Sequence, residues 1–289
     1  MIKYLTTHPW KIVEEGFNPK HQRSSESIFS IGNGRFGQRA NHEETYTGPT
    51  LQGSYVAGVY YPDKTRVGWW KNGYPEYFAK VLNSINWTGI RVFIDGEELD
   101  LAVCSTANFR RELDMQRGVL LRSFDVTTIS GKQARVESIR FCSMADDETA
   151  VIRYSVTPLN FDGTIRFMPY LDGDVHNHDS NYDEKFWEPI SAEAWSGGGA
   201  VVCRTKKTAF DVAASMQLTV HVNGAEQSAP FAEFSRDFFI ENEVEVTVKS
   251  NETVSLFKYV GLVSSLNYSA TELSNAAKTA AERAKGKGF

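Results

Sequence analysis

Alternation with a period of two runs through most of the chain from Trp87 to Gly261, and it leaves few folds open. Ile90, Val92 and Ile94 take every second position, and Asp95-Gly96 then offers a tight hairpin turn. Ala150, Ile152, Tyr154 and Val156 alternate against Val151, Arg153, Ser155 and Thr157. Asn160 to Gly163 turns the chain into Ile165 and Phe167. Met216, Leu218, Val220 and Val222 alternate with Gln217, Thr219 and His221 before Asn223-Gly224, and Val244, Val246 and Val248 repeat the pattern. Side chains on a strand point to opposite faces in turn, so this pattern predicts antiparallel strands with one wet face. The number of strands predicts an all-β fold: a large two-sheet sandwich rather than a small barrel.

The chain has 289 residues and a formal net charge of −5, with no basic block. Phosphate neutralisation needs clustered Lys and Arg, so nucleic acid is excluded as a main partner. No apolar run reaches the length that spans a bilayer, and MIKYLTTHPWK has no apolar core of a secretory signal. Cys104, Cys142 and Cys203 are far apart and lack CxxC spacing. They predict neither a disulfide framework nor a zinc site, and they point to a reducing, cytoplasmic setting.

Residues 1–268 read as the sandwich. From 269 the character changes. Ser269-Ala-Thr-Glu272 matches a capping box, and Leu273, Ala276, Ala277, Ala280, Ala281 and Ala284 follow helical spacing. Lys278, Arg283 and Lys285 suit the C-terminal end, and Gly286 is the expected stop. An alanine stripe buries little area, so residues 269–289 are expected to form a weakly held linker helix.

The run from Gly58 to Asn83, GVYYPDKTRVGWWKNGYPEYFAKVLN, is dense in aromatic and cationic residues and shows no helical or strand period. Its candidate substrate-binding or domain-interface residues are Trp69, Trp70, Lys71, Asn72, Tyr74 and Tyr77. Aromatic faces beside polar groups suit a sugar ring, and they suit burial against another domain equally well.

Other motifs carry less. Gly32-Asn-Gly-Arg-Phe-Gly37 matches GxGxxG, but no helical stripe or βαβ rhythm follows, so Asn33-Gly34 is read as a turn between strands. Asp174, His176 and His178, with Asp172 and Asp179 nearby, share a polar, loop-like segment and fall one ligand short of a metal site. Glu14-Glu15, Glu43-Glu44 and Asp146-Asp147-Glu148 offer carboxylates, but sequence does not oppose any two of them as glycoside hydrolysis requires. Asp146 to Glu148 reads as a solvated turn. No GxSxG elbow supports acyl transfer.

The segment from Glu26 to Arg39, ESIFSIGNGRFGQR, resembles the opening signature of glycoside hydrolase family 65. The run from Gly53 to Pro75 resembles the maltose-phosphorolysing branch of that family. Leu113 to Leu120, Arg140 to Ser143 and Asn181 to Trp187 follow in the matching order. The resemblance implies an N-terminal super-β-sandwich, then a helical linker and an (α/α)6 barrel that carries the catalytic glutamic acid and the phosphate site. No catalytic residue is carried over to this chain. The implied reaction of the whole enzyme is inverting phosphorolysis of an α-glucosidic disaccharide: maltose and phosphate give β-glucose 1-phosphate and glucose. Inorganic phosphate is the co-substrate, with no cofactor or metal. The implied partners are the catalytic barrel and a second copy of the enzyme in a homodimer. Two alternatives stay open: an autonomous carbohydrate-binding module, and a sandwich enzyme of aldose mutarotase type using His176 or His178.

Overall fold

The computed structural model describes residues 4–65, 75–178 and 184–289. In chain order the strands begin with β1 (Leu5–His8), β2 (Lys11–Glu15), β3 (Ile31–Gly32), β4 (Phe36–Gln38), β5 (Ser54–Val56), β6 (Tyr60–Lys64) and β7 (Tyr77–Val81). They continue with β8 (Ile90–Ile94), β9 (Glu97–Glu98), β10 (Ser105–Asp114), β11 (Val119–Thr127), β12 (Gln133–Cys142), β13 (Thr149–Pro158) and β14 (Gly163–Asp172). The last are β15 (Trp187–Trp195), β16 (Gly198–Thr205), β17 (Asp211–Val222), β18 (Ala225–Gln227), β19 (Ala232–Arg236), β20 (Phe239–Val248) and β21 (Val254–Ser264). The helices are α1 (Gln22–Ile28) and α2 (Leu273–Lys287).

Two antiparallel sheets stack, as the alternation predicts. The larger has eleven strands in the order β1-β2-β10-β11-β12-β13-β21-β17-β16-β15, with β18 paired to β17. The smaller has five, in the order β19-β20-β14-β8-β9. Ile152 and Val156 of β13 and Leu256 and Val260 of β21 share one core with Ile165 and Phe167 of β14 and with Ile90, Val92 and Ile94 of β8. Burying each such side chain contributes about 1.5–3 kcal/mol. The hairpins at Asp95-Gly96 and Asn223-Gly224 form as expected. All four residues have positive φ, which the twist of a two-residue hairpin requires. Asn33-Gly34 turns β3 into β4, and the Asn33 side-chain oxygen accepts from the backbone N–H of Arg35 and Phe36.

The terminal helix departs from expectation. Helix α2 is not weakly held: it lies across the outer face of the larger sheet, with Leu273, Ala277, Ala280, Ala281 and Ala284 buried. Its partners include Val202, Ala213 and Val263 at one end and Val151 and Tyr259 at the other. Val151, expected on a wet face, is therefore covered. Close approach replaces the missing area. A Cβ added at Gly261 of β21 would sit 2.2 Å from the Ala277 carbonyl oxygen and 2.8 Å from Ala280 Cβ. Alanine on the helix and glycine on the strand let the two backbones meet. The ends also differ in detail. The Ser269 hydroxyl donates to the Glu272 carboxylate rather than accepting from a helix N–H, and the helix runs through Gly286 to Lys287.

Asp146 to Glu148 is likewise no solvated turn. Asp146 accepts both arms of the Arg283 guanidinium at 2.7 and 2.8 Å, and Lys287 at 2.9 Å. These donors hold its carboxyl well below the usual carboxylate range. Glu148 accepts from the Tyr268 hydroxyl at 2.7 Å, and Asp147 pairs with Arg35. The turn ties α2 to the sandwich.

Candidate functional site

The aromatic run contains a strand pair that the sequence conceals. β6 and β7 form an antiparallel hairpin in the register Tyr60↔Val81, Pro62↔Ala79 and Lys64↔Tyr77. The inward positions are Tyr61, Asp63 and Lys80, so the usual apolar alternation is absent. Lys80 and Asp63 are paired at 2.5 Å with both side chains nearly buried, and Lys80 lies over the Phe186 ring. The Tyr61 hydroxyl donates to Glu184 at 3.1 Å, and Lys207 sits 4.7 Å over the Tyr61 ring. This inner face fixes the hairpin to the sandwich. Tyr60, Tyr77, Phe78 and Val81 stay exposed. Of the six candidates, only Tyr77 lies in the described structure, as one of these exposed side chains. Trp69, Trp70, Lys71, Asn72 and Tyr74 fall outside the described residues.

The histidine segment meets the foot of the same hairpin. Asn177 accepts from the Asn83 N–H at 2.9 Å and donates to the Val81 carbonyl at 2.8 Å. Asn83 donates to the His176 carbonyl, and the Trp187 indole donates to the Asn83 carbonyl. The His176 and His178 rings lie 6.4 Å apart, and Asp174 pairs with Lys185. Asp179 lies outside the described residues. Among the described residues, no three His, Cys, Asp or Glu side chains are grouped to hold a metal ion. No described helix is long and apolar enough to cross a membrane.

The structure does bring carboxylates together, though not into a catalytic pair. Arg111 of β10, Arg122 of β11, Arg140 of β12 and Lys258 of β21 all sit at buried, inward positions of the larger sheet. Arg111 stands directly opposite Arg122, and Arg140 is linked through Ile152 to Lys258. The segment from Arg39 to Glu44 crosses this band. Arg122 bridges Glu43 at 2.5 Å and also both oxygens of Glu44. Arg140 donates to Glu43 at 2.9 Å and to the Asn41 and Arg39 carbonyls at 3.0 Å. The Tyr154 hydroxyl donates to Glu44 at 3.0 Å. Burial alone would favour discharge of Arg122, but Glu44 and Glu43 outweigh it and hold the guanidinium charged. Burial opposes ionisation of Glu43, and Arg140 and Arg122 reverse the balance. Both carboxylates are locked to guanidinium groups, so this is a cross-link and not a proton-transfer pair.

His42 closes the cluster. Its Nδ1 accepts from Arg122 at 2.7 Å, and burial, followed by the charges of Arg122, Arg111 and Arg140, holds it well below the usual imidazole range. The unfolded chain takes up a proton at this residue below about pH 6.5, and the folded chain does not. More protons on the unfolded state mean that stability falls on acidification, by up to about 1.4 kcal/mol per pH unit from this group. Replacing His42 with Asn, whose amide oxygen can take the place of Nδ1, is expected to flatten the stability profile between about pH 6 and 5. Urea unfolding across that range measures it. An unchanged slope would contradict a neutral buried imidazole.

The relatives agree with this architecture. Residues 12–289 match the model of the glycosyl hydrolase family 65 N-terminal domain. The chain belongs to that family. Its relatives include a maltose phosphorylase of Bacillus subtilis (strain 168), 41% identical over 269 residues, covering 93% of this chain and 35% of the relative. An alpha,alpha-trehalose phosphorylase of Thermoanaerobacter brockii is 28% identical over 301 residues, covering 97% of this chain and 37% of the relative. Among solved structures, a putative kojibiose phosphorylase from the human microbiome superposes with a TM-score of 0.85 at 26% identity, over 99% of this chain and 37% of that one. This family 65 sandwich therefore spans about a third of the length of these relatives.

Proposed function

We propose that the chain acts as the non-catalytic N-terminal domain of an inverting disaccharide phosphorylase, with maltose as the disaccharide. The observation that carries this reading is the 41% identity to maltose phosphorylase along 93% of the chain, over only about a third of that enzyme. In this reading the barrel supplies the general acid and holds phosphate, an anionic nucleophile that attacks the anomeric carbon from the face opposite the leaving sugar. The engagement of Glu43 and Glu44 by arginines is consistent with a supporting role. The sandwich provides the wall against which the barrel seats.

The hairpin face is the proposed seat. Tyr60, Tyr77 and Val81 hold apolar surface outward on a strand pair whose inner side is fixed by an ion pair, and Phe78, opposite Asp63, is exposed as well. Beside it runs an apolar groove of about 530 Å³ lined in part by Phe36, Val56, Val59 and Tyr60. In a chain extended over the full length of the relatives, replacing Tyr77 and Phe78 together with Ser is expected to raise KM for maltose or to loosen the sandwich from the barrel. Losing aromatic anchors of this kind costs about 1–2 kcal/mol or more, a factor of about 5 to 30. Steady-state kinetics with a parallel thermal-unfolding scan reads both. Unchanged KM and unchanged unfolding would refute the seat.

A further inference from the structure

A second surface has the chemistry of a binding site, and its lining shares no residue with the hairpin or with the groove beside it. The outer face of the smaller sheet and the overlying segment from Asn41 to Gln52 enclose an open cleft of about 700 Å³. That size is ordinary for a small-molecule site. Cross-strand register builds its floor in two rows. Phe234, Glu241 and Tyr170 stand opposite one another on β19, β20 and β14, and Arg236, Phe239 and Asp172 form the next row. Tyr170 and Phe239 stack at 5.6 Å, while Phe234 meets Phe239 edge-on at 6.3 Å and stays more than half exposed. Arg236 lies 4.7 Å over Phe239.

The cleft also concentrates unused hydrogen-bonding capacity. Among the described residues, thirteen buried side-chain polar atoms lack a hydrogen-bond partner, and four belong to residues lining this cleft: His42 Nε2, Tyr46 Oη, Gln52 Nε2 and Glu241 Oε2. His42 and Glu241 are each only 8% exposed. Buried polar groups are normally satisfied, so such a concentration is informative. With Nδ1 accepting from Arg122, His42 Nε2 carries the ring proton. The four atoms then comprise donors, an acceptor and a hydroxyl that is both. These atoms have almost no exposed surface of their own, so they give the cleft polar walls of the kind that suit a ligand rich in hydroxyl groups.

Charge narrows the ligand further. Glu44, Glu98, Asp172 and Glu241 share the lining with Arg91 and Arg236, so the charges nearly balance and an anion finds no net positive site. A metal cation is a poor match too. Glu44 is held by Arg122, Glu98 pairs with Arg91 at 3.1 Å, and Glu241 lies 3.7 Å from Arg91. Burial favours the neutral form of Asp172. What remains is a neutral molecule with hydroxyl edges and an apolar face to lay on Phe234 and Phe239.

We infer that this cleft is a saccharide-binding site taking a neutral sugar of one or two pyranose rings. The site lies wholly within this chain, so it stands independently of the scaffold role and extends it. Calorimetric titration of the 289-residue chain with glucose and with maltose tests it, with inorganic phosphate as the anionic control. Saturable binding of at least one sugar is expected, with no heat from phosphate. Phe234→Ala and Glu241→Gln are each expected to weaken binding about tenfold or more. Tyr77→Ala, on the hairpin, is expected to leave the affinity unchanged. Phe234 is exposed, so its replacement preserves the fold, and circular dichroism verifies this. Absence of saturable binding at tens of millimolar sugar would overturn the inference. So would parental affinity in both cleft variants, loss of binding in Tyr77→Ala, or competition by phosphate.

Discussion

Replacing Arg122 with Met is expected to destabilise the chain by about 3–5 kcal/mol, because it strips two buried carboxylates of a shared counter-charge. Native domains are stable by only about 5–15 kcal/mol, so much of the margin would go. Glu43 keeps Arg140, but Glu44 is left with the Tyr154 hydroxyl as its other hydrogen-bond donor within the cluster. The loss comes from the stranded charge rather than from the worth of the pair. Adding Glu44→Met to Arg122→Met is therefore expected to recover a substantial part of it. Urea-unfolding midpoints of the two single variants and the double variant form the cycle. If the double variant loses as much as the sum of the singles, the two side chains are not coupled as described.

Replacing Gly261 with Leu is expected to pry α2 from the sheet. The added Cβ would lie 2.2 Å from a backbone oxygen and 2.8 Å from the Ala281 nitrogen, so no rotamer relieves the clash. Overpacking of this kind costs about 1–3 kcal/mol or more. Helix α2 is a short surface helix, unable to persist without its packing. Amide hydrogen exchange is expected to show α2 losing protection while the central strands keep theirs. Gly286→Ala provides the contrast. Nothing lies within 4 Å of a Cβ there, and the residue is inside the helix. Ala is expected to stabilise it by about 0.5–1 kcal/mol. Equal protection of α2 in Gly261→Leu and the parent would mean that close backbone approach does not hold the helix.

The same residues explain what could be read from sequence. Strands β8, β14, β17 and β20 were legible because each repeats apolar side chains at every second position. The turns at Asp95-Gly96 and Asn223-Gly224 were legible because few residues accept their backbone angles. The β6–β7 hairpin was not, because its inward positions hold Asp63 and Lys80, which alternation counts as exposed. The cationic band left one trace. Arg122 shares the parity of Leu120, Phe124 and Val126, and Arg140 that of Val136 and Cys142, so a charge at an apolar position was the available signal. Its meaning depends on Glu43 and Glu44, some 80 to 100 residues earlier, which no local pattern connects to it. The alanine stripe of α2 failed for a similar reason. Its strength depends on the missing side chain at Gly261, on another element. The cleft on the smaller sheet was hidden because its rows come from cross-strand register between β14, β19 and β20.

The most direct test of the central reading is phosphate-dependent release of glucose 1-phosphate from maltose. It is measured on the 289-residue chain and on a chain extended over the full length of the relatives. The expected result is no release from the first and sustained turnover by the second. Release of glucose 1-phosphate by the 289-residue chain alone would place the reactive groups within this sandwich and contradict its role as a scaffold.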